Sequence, residues 1–212
     1  MDDVTRAAWR RHLGEDPDPD ALRAELAAGT LGEAFAAIAG DRPDAPALEI
    51  DGVALTHGEV DERAARVGGF LRARGVEPGD RVLLCAPTSM DLVVAYLGIV
   101  RIGATAMPCD AALTAAELRH LLEDADPVVA FVADDARERL AEAGEVETVV
   151  PIGEARALDA APADPEPDPG PAMLAYTSGT TGAPSSSRWR SSAAVSAASH
   201  GIAVAPTRTM PR

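Results

Sequence analysis

From Arg81 onward the sequence alternates short, almost uninterrupted apolar runs with segments of helical period, and that alternation leaves few architectures open. Arg81 to Ala86, Ala104 to Pro108, Val128 to Val132 and Val146 to Val150 have almost no polar face to offer water, which is how strands covered on both sides read. Between them, helices are expected over Asp91 to Ile102, from the capping box Thr114-Ala115-Ala116-Glu117 to about Asp124, and over Asp134 to Ala143. Repeated strand and helix units predict an α/β fold with a doubly wound, largely parallel sheet and flanking helices.

Upstream of this core the punctuation is equally explicit. Thr30-Leu31-Gly32-Glu33 opens a helix with Leu31, Ala34, Phe35 and Ile38 on one face, and Pro43 follows its end. Asp51-Gly52 joins Ala47 to Ile50 and Val53 to Leu55 as a hairpin, because this dipeptide accepts the positive φ angles of a tight turn. Thr56-His57-Gly58-Glu59 caps a helix that runs to about Arg74 and stops at Gly75. Val4 to Leu13 and a segment capped by Asp20 read as short helices ahead of this body, and Ala160 to Pro171, rich in Pro, Asp and Glu, reads as an exposed loop.

Composition excludes several functions. The hydrophobic fraction of 47% supports a core, while aromatics at 3% mean that Ala, Val, Leu and Ile must build it. The chain contains no lysine, asparagine or glutamine, so every basic side chain other than histidine is an arginine and no lysine can clamp a phosphate or act as an acid. A net charge of −15 opposes nucleic acid and anionic membrane surfaces as partners. No basic leader precedes an apolar run and no stretch of about eighteen apolar residues occurs, so no membrane span and a cytoplasmic location are expected. Cys85 and Cys109 each end an apolar segment without neighbouring ligands and read as buried packing thiols.

The run with the clearest chemical use is Tyr176-Thr177-Ser178-Gly179-Thr180-Thr181-Gly182-Ala183-Pro184, with the apolar Ala172 to Ala175 leading in as a strand. Gly179 and Gly182 can take the positive φ angles that turn successive backbone N–H groups toward one point, and Thr177, Ser178, Thr180 and Thr181 add hydroxyls, which together suit a polyphosphate. The spacing is not that of a Walker A loop, and no lysine follows. Without a ligand the same string is an ordinary Ser/Thr/Gly surface loop.

This string resembles the signature T-S-G-[ST]-[ST]-G-x-P-K-G of the adenylate-forming (AMP-binding) superfamily, and three further segments share the resemblance. Leu55-Thr56-His57-Gly58-Glu59-Val60 looks like its L-[ST]-Y-x-E-L box, with His57 in place of tyrosine. Gly75 to Val82 looks like its G-V-x-x-G-D-x-V turn, and Leu97-Gly98 through Gly103-Ala104 to Pro108 like its L-G-x-x-x-x-G-A-x-x-x-P box. For these three boxes, core and turn structure without ligand contact is the expected role.

The resemblance implies a partial N-terminal domain over residues 30–184, preceded by a helical extension over 1–29, and a function of the acyl-CoA synthetase type. An ATP-dependent ligase of this kind joins a carboxylic acid to coenzyme A or a carrier thiol through an acyl-adenylate. It also implies ATP as the nucleotide, with Mg²⁺ in the intact family, and nucleotide-binding roles for Thr177, Ser178, Gly179, Thr180, Thr181 and Gly182. No catalytic residue or metal ligand is assigned in this chain. The sequence departs from the signature where Lys-Gly becomes Ser185-Ser186. Four of the 19 arginines and none of the 34 acids lie in residues 185–212, so this tail carries +4 and the rest −19. It also holds seven serines against two, Ser89 and Ser178, in all that precedes it. The tail is expected to be disordered, and a frameshift near codon 185 or a true short isoform would each produce it. An inactive fragment of the ligase and a non-catalytic nucleotide-binding or protein-interaction module on the same scaffold both remain open.

Overall fold

The computed structural model describes residues 29–166, 171–177 and 185–190. The helices expected over Val4 to Leu13 and after Asp20, and the residues after Arg190, lie outside the described residues. In chain order the body runs α1 (Leu31–Asp41), β1 (Pro46–Ile50), β2 (Val53–Thr56), α2 (His57–Arg72), β3 (Arg81–Cys85), α3 (Met90–Arg101), β4 (Thr105–Cys109) and α4 (Ala115–Ala125). It continues through β5 (Val129–Val132), α5 (Arg137–Ala143), β6 (Thr148–Pro151), β7 (Pro171–Thr177) and β8 (Ser185–Arg190). A 3₁₀ turn over Asp134–Ala136 leads into α5, and another, Ile152–Ala157, follows β6.

Local chemistry sets the helix starts. Thr30, Thr56 and Thr114 each accept the backbone N–H of a glutamate three residues on, and that glutamate accepts the threonine's own N–H in return. Each such box satisfies two orphan donors and stabilises its helix by about 1 kcal/mol. Ser89 caps α3 in the simpler way, through the Leu92 N–H. In the β1–β2 hairpin Asp51 and Gly52 both adopt positive φ, 52° and 74°, as the Asp-Gly pair predicts.

The main sheet has the order β6-β5-β3-β4-β7-β8, with β6 to β7 parallel and β8 antiparallel to β7. Strand alternation divides its core in two. Val82, Leu84, Ala106, Phe131 and Ala172 pack toward α2 and α3. Leu83, Cys85, Met107, Ala130, Val132 and Leu174 pack toward α4 and α5. The connections β3–α3–β4 and β4–α4–β5 therefore cover opposite faces, which makes the sheet doubly wound.

Three differences from the sequence reading have physical causes. On α1 the buried positions are Gly32 and Ala39, while Leu31 and Ile38 stay 38% and 39% exposed. The helix docks through its small residues, since a Cβ on Gly32 would stand 2.8 Å from the Arg101 Cα. The supposed exposed loop after Ala160 is, over its described part, a strap across α2 and α3. The Ala163 N–H donates to the Ala65 carbonyl and the Glu166 N–H to that of Arg101. Arg101, only 8% exposed, donates to the Ala163 carbonyl and to Asp61, both at 2.6 Å. Finally, a strand appears over Ser185–Arg190, where the sequence reading placed none. Its backbone forms β8, because β7 would otherwise leave its second row of N–H and C=O groups without a ladder partner.

Helix α2 crosses closely over α3 at Gly98, where a Cβ would meet the Val67 Cβ at 2.5 Å and the Ala64 carbonyl oxygen at 2.7 Å. Gly98→Ala is expected to lower the unfolding free energy by about 1–3 kcal/mol through overpacking. Gly40→Ala, on α1 with nothing within 4 Å, should instead raise it by about 0.5 kcal/mol. Urea midpoints distinguish the two. Arg101→Met should cost about 3 kcal/mol, the lower end for breaking a buried pair because the Asp61 side chain is 23% exposed, and should speed amide exchange at Ala163 and Glu166. Arg66→Met, whose partners Glu62 and Asp159 are both largely exposed, should leave the urea midpoint essentially unchanged.

Candidate functional site

The strand that delivers the glycine and hydroxyl loop is fixed from both faces and both edges. β7 pairs in parallel with β4, Met173 opposite Ala106, and buries Ala172 toward α3 and Leu174 toward α4. The Tyr176 hydroxyl donates to the Asp124 carboxylate at 2.6 Å, tying the strand to the end of α4. β8 returns antiparallel, with Ser187 opposite Ala175, Ser186 opposite Tyr176 and Ser185 opposite Thr177. The chain thus leaves the carboxyl edge of the parallel sheet at Thr177 and rejoins the ladder at Ser185.

Of the six residues singled out for phosphate, Thr177 is the last of β7, at the same sheet edge as the ends of β3, β4 and β5. Ser178, Gly179, Thr180, Thr181 and Gly182 lie outside the described residues.

The same edge carries a feature that the sequence reading missed. Pro87, Asp110, Ala111, Ala112, Thr114, Asp135 and Arg139 line an open hollow of about 510 Å³. Each follows the end of β3, β4 or β5 or begins the helix beyond it. The signal was available, because ligand crevices of open α/β sheets lie outside the carboxyl ends of strands whose connections cover opposite faces. Arg139 is held in place by the carbonyls of Leu113 at 3.1 Å and Ala111 at 2.5 Å. The Asp110 carboxylate accepts the Ala112 N–H at 2.8 Å, which turns the chain toward α4. At the helix start, Thr114 donates through both its backbone N–H and its hydroxyl to Glu117, and these bonds hold the Glu117 carboxyl below the usual carboxylate range.

Among the described residues no group of three or more His, Cys, Asp or Glu side chains is placed to hold a metal ion. No described helix is long and apolar enough to cross a membrane.

This arrangement has known counterparts. The sequence profile of the family described as AMP-binding enzyme matches residues 35–186. Surfactin synthase subunit 3 of Bacillus subtilis (strain 168) is 34% identical over 145 residues, 67% of this chain and 11% of its own length. The p-hydroxybenzoic acid–AMP ligase FadD22 of Mycobacterium tuberculosis (strain ATCC 25618 / H37Rv) is 36% identical over 146 residues, 68% of this chain and 20% of its own. The AMPPNP-bound nonribosomal peptide synthetase FmoA3 (S1046A) superposes with a TM-score of 0.66 at 29% identity, covering 90% of this chain and 20% of that one. The chain therefore spans between about a tenth and a fifth of the length of these three proteins. With the profile extending from α1 through Thr177 into β8, the chain belongs to the AMP-binding, adenylate-forming enzyme family.

Proposed function

We propose that this chain contributes the polyphosphate-gripping part of an ATP-dependent carboxylic acid–thiol ligase of the acyl-CoA synthetase type. The observation that carries the reading is the β7–β8 hairpin, whose paired residues Thr177 and Ser185 bracket the Gly-rich hydroxyl run at the carboxyl edge of a parallel sheet. Held between two anchored strands, backbone N–H groups near Gly179 and Gly182 and the hydroxyls of Thr177, Ser178, Thr180 and Thr181 would donate to the nucleotide's phosphates. The reaction is attack of the acid's carboxylate on the α-phosphorus. An acyl–O–P bond forms, pyrophosphate leaves, and a thiol, coenzyme A or a carrier thiol, then displaces AMP.

The loop supplies hydrogen bonds but little charge. The signature's lysine position is Ser185, and the chain holds no lysine elsewhere. Charge developing at the α-phosphate needs preorganised cations or metal for its stabilisation. Phosphate contacts alone give weak affinity, so calorimetric titration of this chain with MgATP should show weak binding at best, lost in Gly179→Val. Tight, magnesium-dependent binding that survives Gly179→Val would show that the nucleotide sits elsewhere.

By itself the chain is expected to form no acyl-adenylate from any carboxylic acid. The check is acid-dependent exchange of labelled pyrophosphate into ATP. Exchange above background and abolished by Thr180→Ala would establish a working short enzyme, whereas weak nucleotide binding without exchange fits the ligase scaffold lacking its catalytic cations.

A further inference from the structure

Cys85 closes β3 and Cys109 closes β4, and the parallel register sets the two directly opposite one another. Both pack on the α4–α5 side of the sheet, Cys85 wholly buried and Cys109 half-buried. Neighbouring strands lie about 4.8 Å apart, within the Cα separation of about 4.4–6.8 Å that a disulfide spans. Packing alone does not ask for such a pair, since Val132, the neighbour of Cys85 on its other side, fills the corresponding place in β5 with a plain hydrocarbon.

Pro87 and Asp110, which follow the two cysteines, line the open hollow at the carboxyl edge, and of the two thiols the half-buried Cys109 is the more accessible. The two thiols are shifted in opposite directions. The Cys109 hydrogen bond, helped by the positive Arg139, lowers the Cys85 thiol from its ordinary range against the opposing effect of burial, while the same bond and burial raise Cys109.

We propose that Cys85 and Cys109 form an oxidant-sensitive dithiol, a modification site at which hydrogen peroxide closes a disulfide between β3 and β4. The thiolate of the pair attacks a peroxide oxygen. An S–O bond forms, the O–O bond breaks, and the departing hydroxide takes a proton as water. The second thiol then attacks the sulfenic sulfur, the S–S bond forms, the S–O bond breaks, and a second water leaves. The two sulfurs together lose two electrons and the peroxide gains them. A thiol reductant reverses the bond. The product joins the central strand to the one that carries β7.

The chain's own composition makes the test clean, because these are its two cysteines and an intramolecular disulfide can join no others. The full chain is treated with near-stoichiometric hydrogen peroxide, quenched, alkylated in denaturant, and read by intact mass and peptide mapping. The expected product is monomeric, lighter by two hydrogens, without alkylatable thiol, and restored by dithiothreitol. It should form at least about tenfold faster in the folded chain than in urea, since strand pairing raises the effective concentration of one thiol at the other. In Cys109→Ser no intramolecular bond should form, and oxidation of Cys85 should read as one added oxygen in the intact mass. Two free thiols after treatment, separate sulfinic acids, a disulfide-linked dimer, or a bond that forms equally fast in urea would each overturn the proposal. The wild-type measurements decide it even if the variant does not fold.

Discussion

A parallel strand cannot face water, and β3 shows what that costs the chain around it. Val82, Leu83, Leu84 and Cys85 are all within 1% of full burial, so each face of the strand needs its own layer. Burying a Leu-sized side chain contributes about 1.5–3 kcal/mol, and the two layers exist to collect that energy from both faces at once. The α3 connection covers one face and the α4 and α5 connections the other. Because β3 sits between β5 and β4 and is the first strand of the sheet in the chain, every later parallel strand takes its register from it, directly or through one neighbour.

The layer over Val82 and Leu84 is completed by an unusual means. There the connection from β6 to β7 contributes a 3₁₀ turn and an extended strap rather than a full helix. An extended segment cannot satisfy its own backbone groups, so α2 and α3 must supply partners. Arg101 does this with a guanidinium that reaches Asp61 on one helix and the strap carbonyl of Ala163, while its own carbonyl accepts from Glu166. Gly98 lets the two helices approach closely enough for that bridge to span them. The strap leads on toward β7, so the packing of α2 on α3 bears on the strand that ends at Thr177.

Much of this was legible because the signals are local. The three Thr–Glu boxes, the Asp-Gly turn and the apolar runs each specify structure within a few residues, and each appears where the sequence placed it, with ends shifted by one or two residues. The strap was not legible. Its Pro, Asp and Glu residues describe a solvated loop, and the arginine that captures it lies 62 residues away along the chain. β8 was hidden for a related reason. Serine-rich chain has little intrinsic strand preference, but the vacant ladder of β7 supplies hydrogen bonds to backbone whatever the side chains are. The hollow at the carboxyl edge was missed because its lining residues come from the ends of three strands far apart in sequence, and only the sheet order brings Pro87, Asp110 and Asp135 together. For the glycine and hydroxyl loop the strand that leads into it was legible from Ala172 to Ala175, and its phosphate role rests on the motif itself.

On the proposed reading, the switch from parallel to antiparallel at β7 has a mechanical purpose. A parallel connection after Thr177 would need a crossover of a dozen or more residues, whereas the antiparallel return spans seven, 178 to 184, between two paired residues. A short connection with both ends in the ladder restrains where its N–H groups can point. That restraint matters more in this chain than in one with a lysine, because the surrounding field opposes the ligand. The residues before Ser185 carry −19, and in the loop a polyphosphate approaching them gains attraction from oriented dipoles at close range. Such dipoles act within a few ångströms, while the repulsion of the acidic body extends over about 10 Å at moderate ionic strength. Added salt should therefore weaken the repulsion more than the grip, the reverse of the usual behaviour of a phosphate site built from basic side chains.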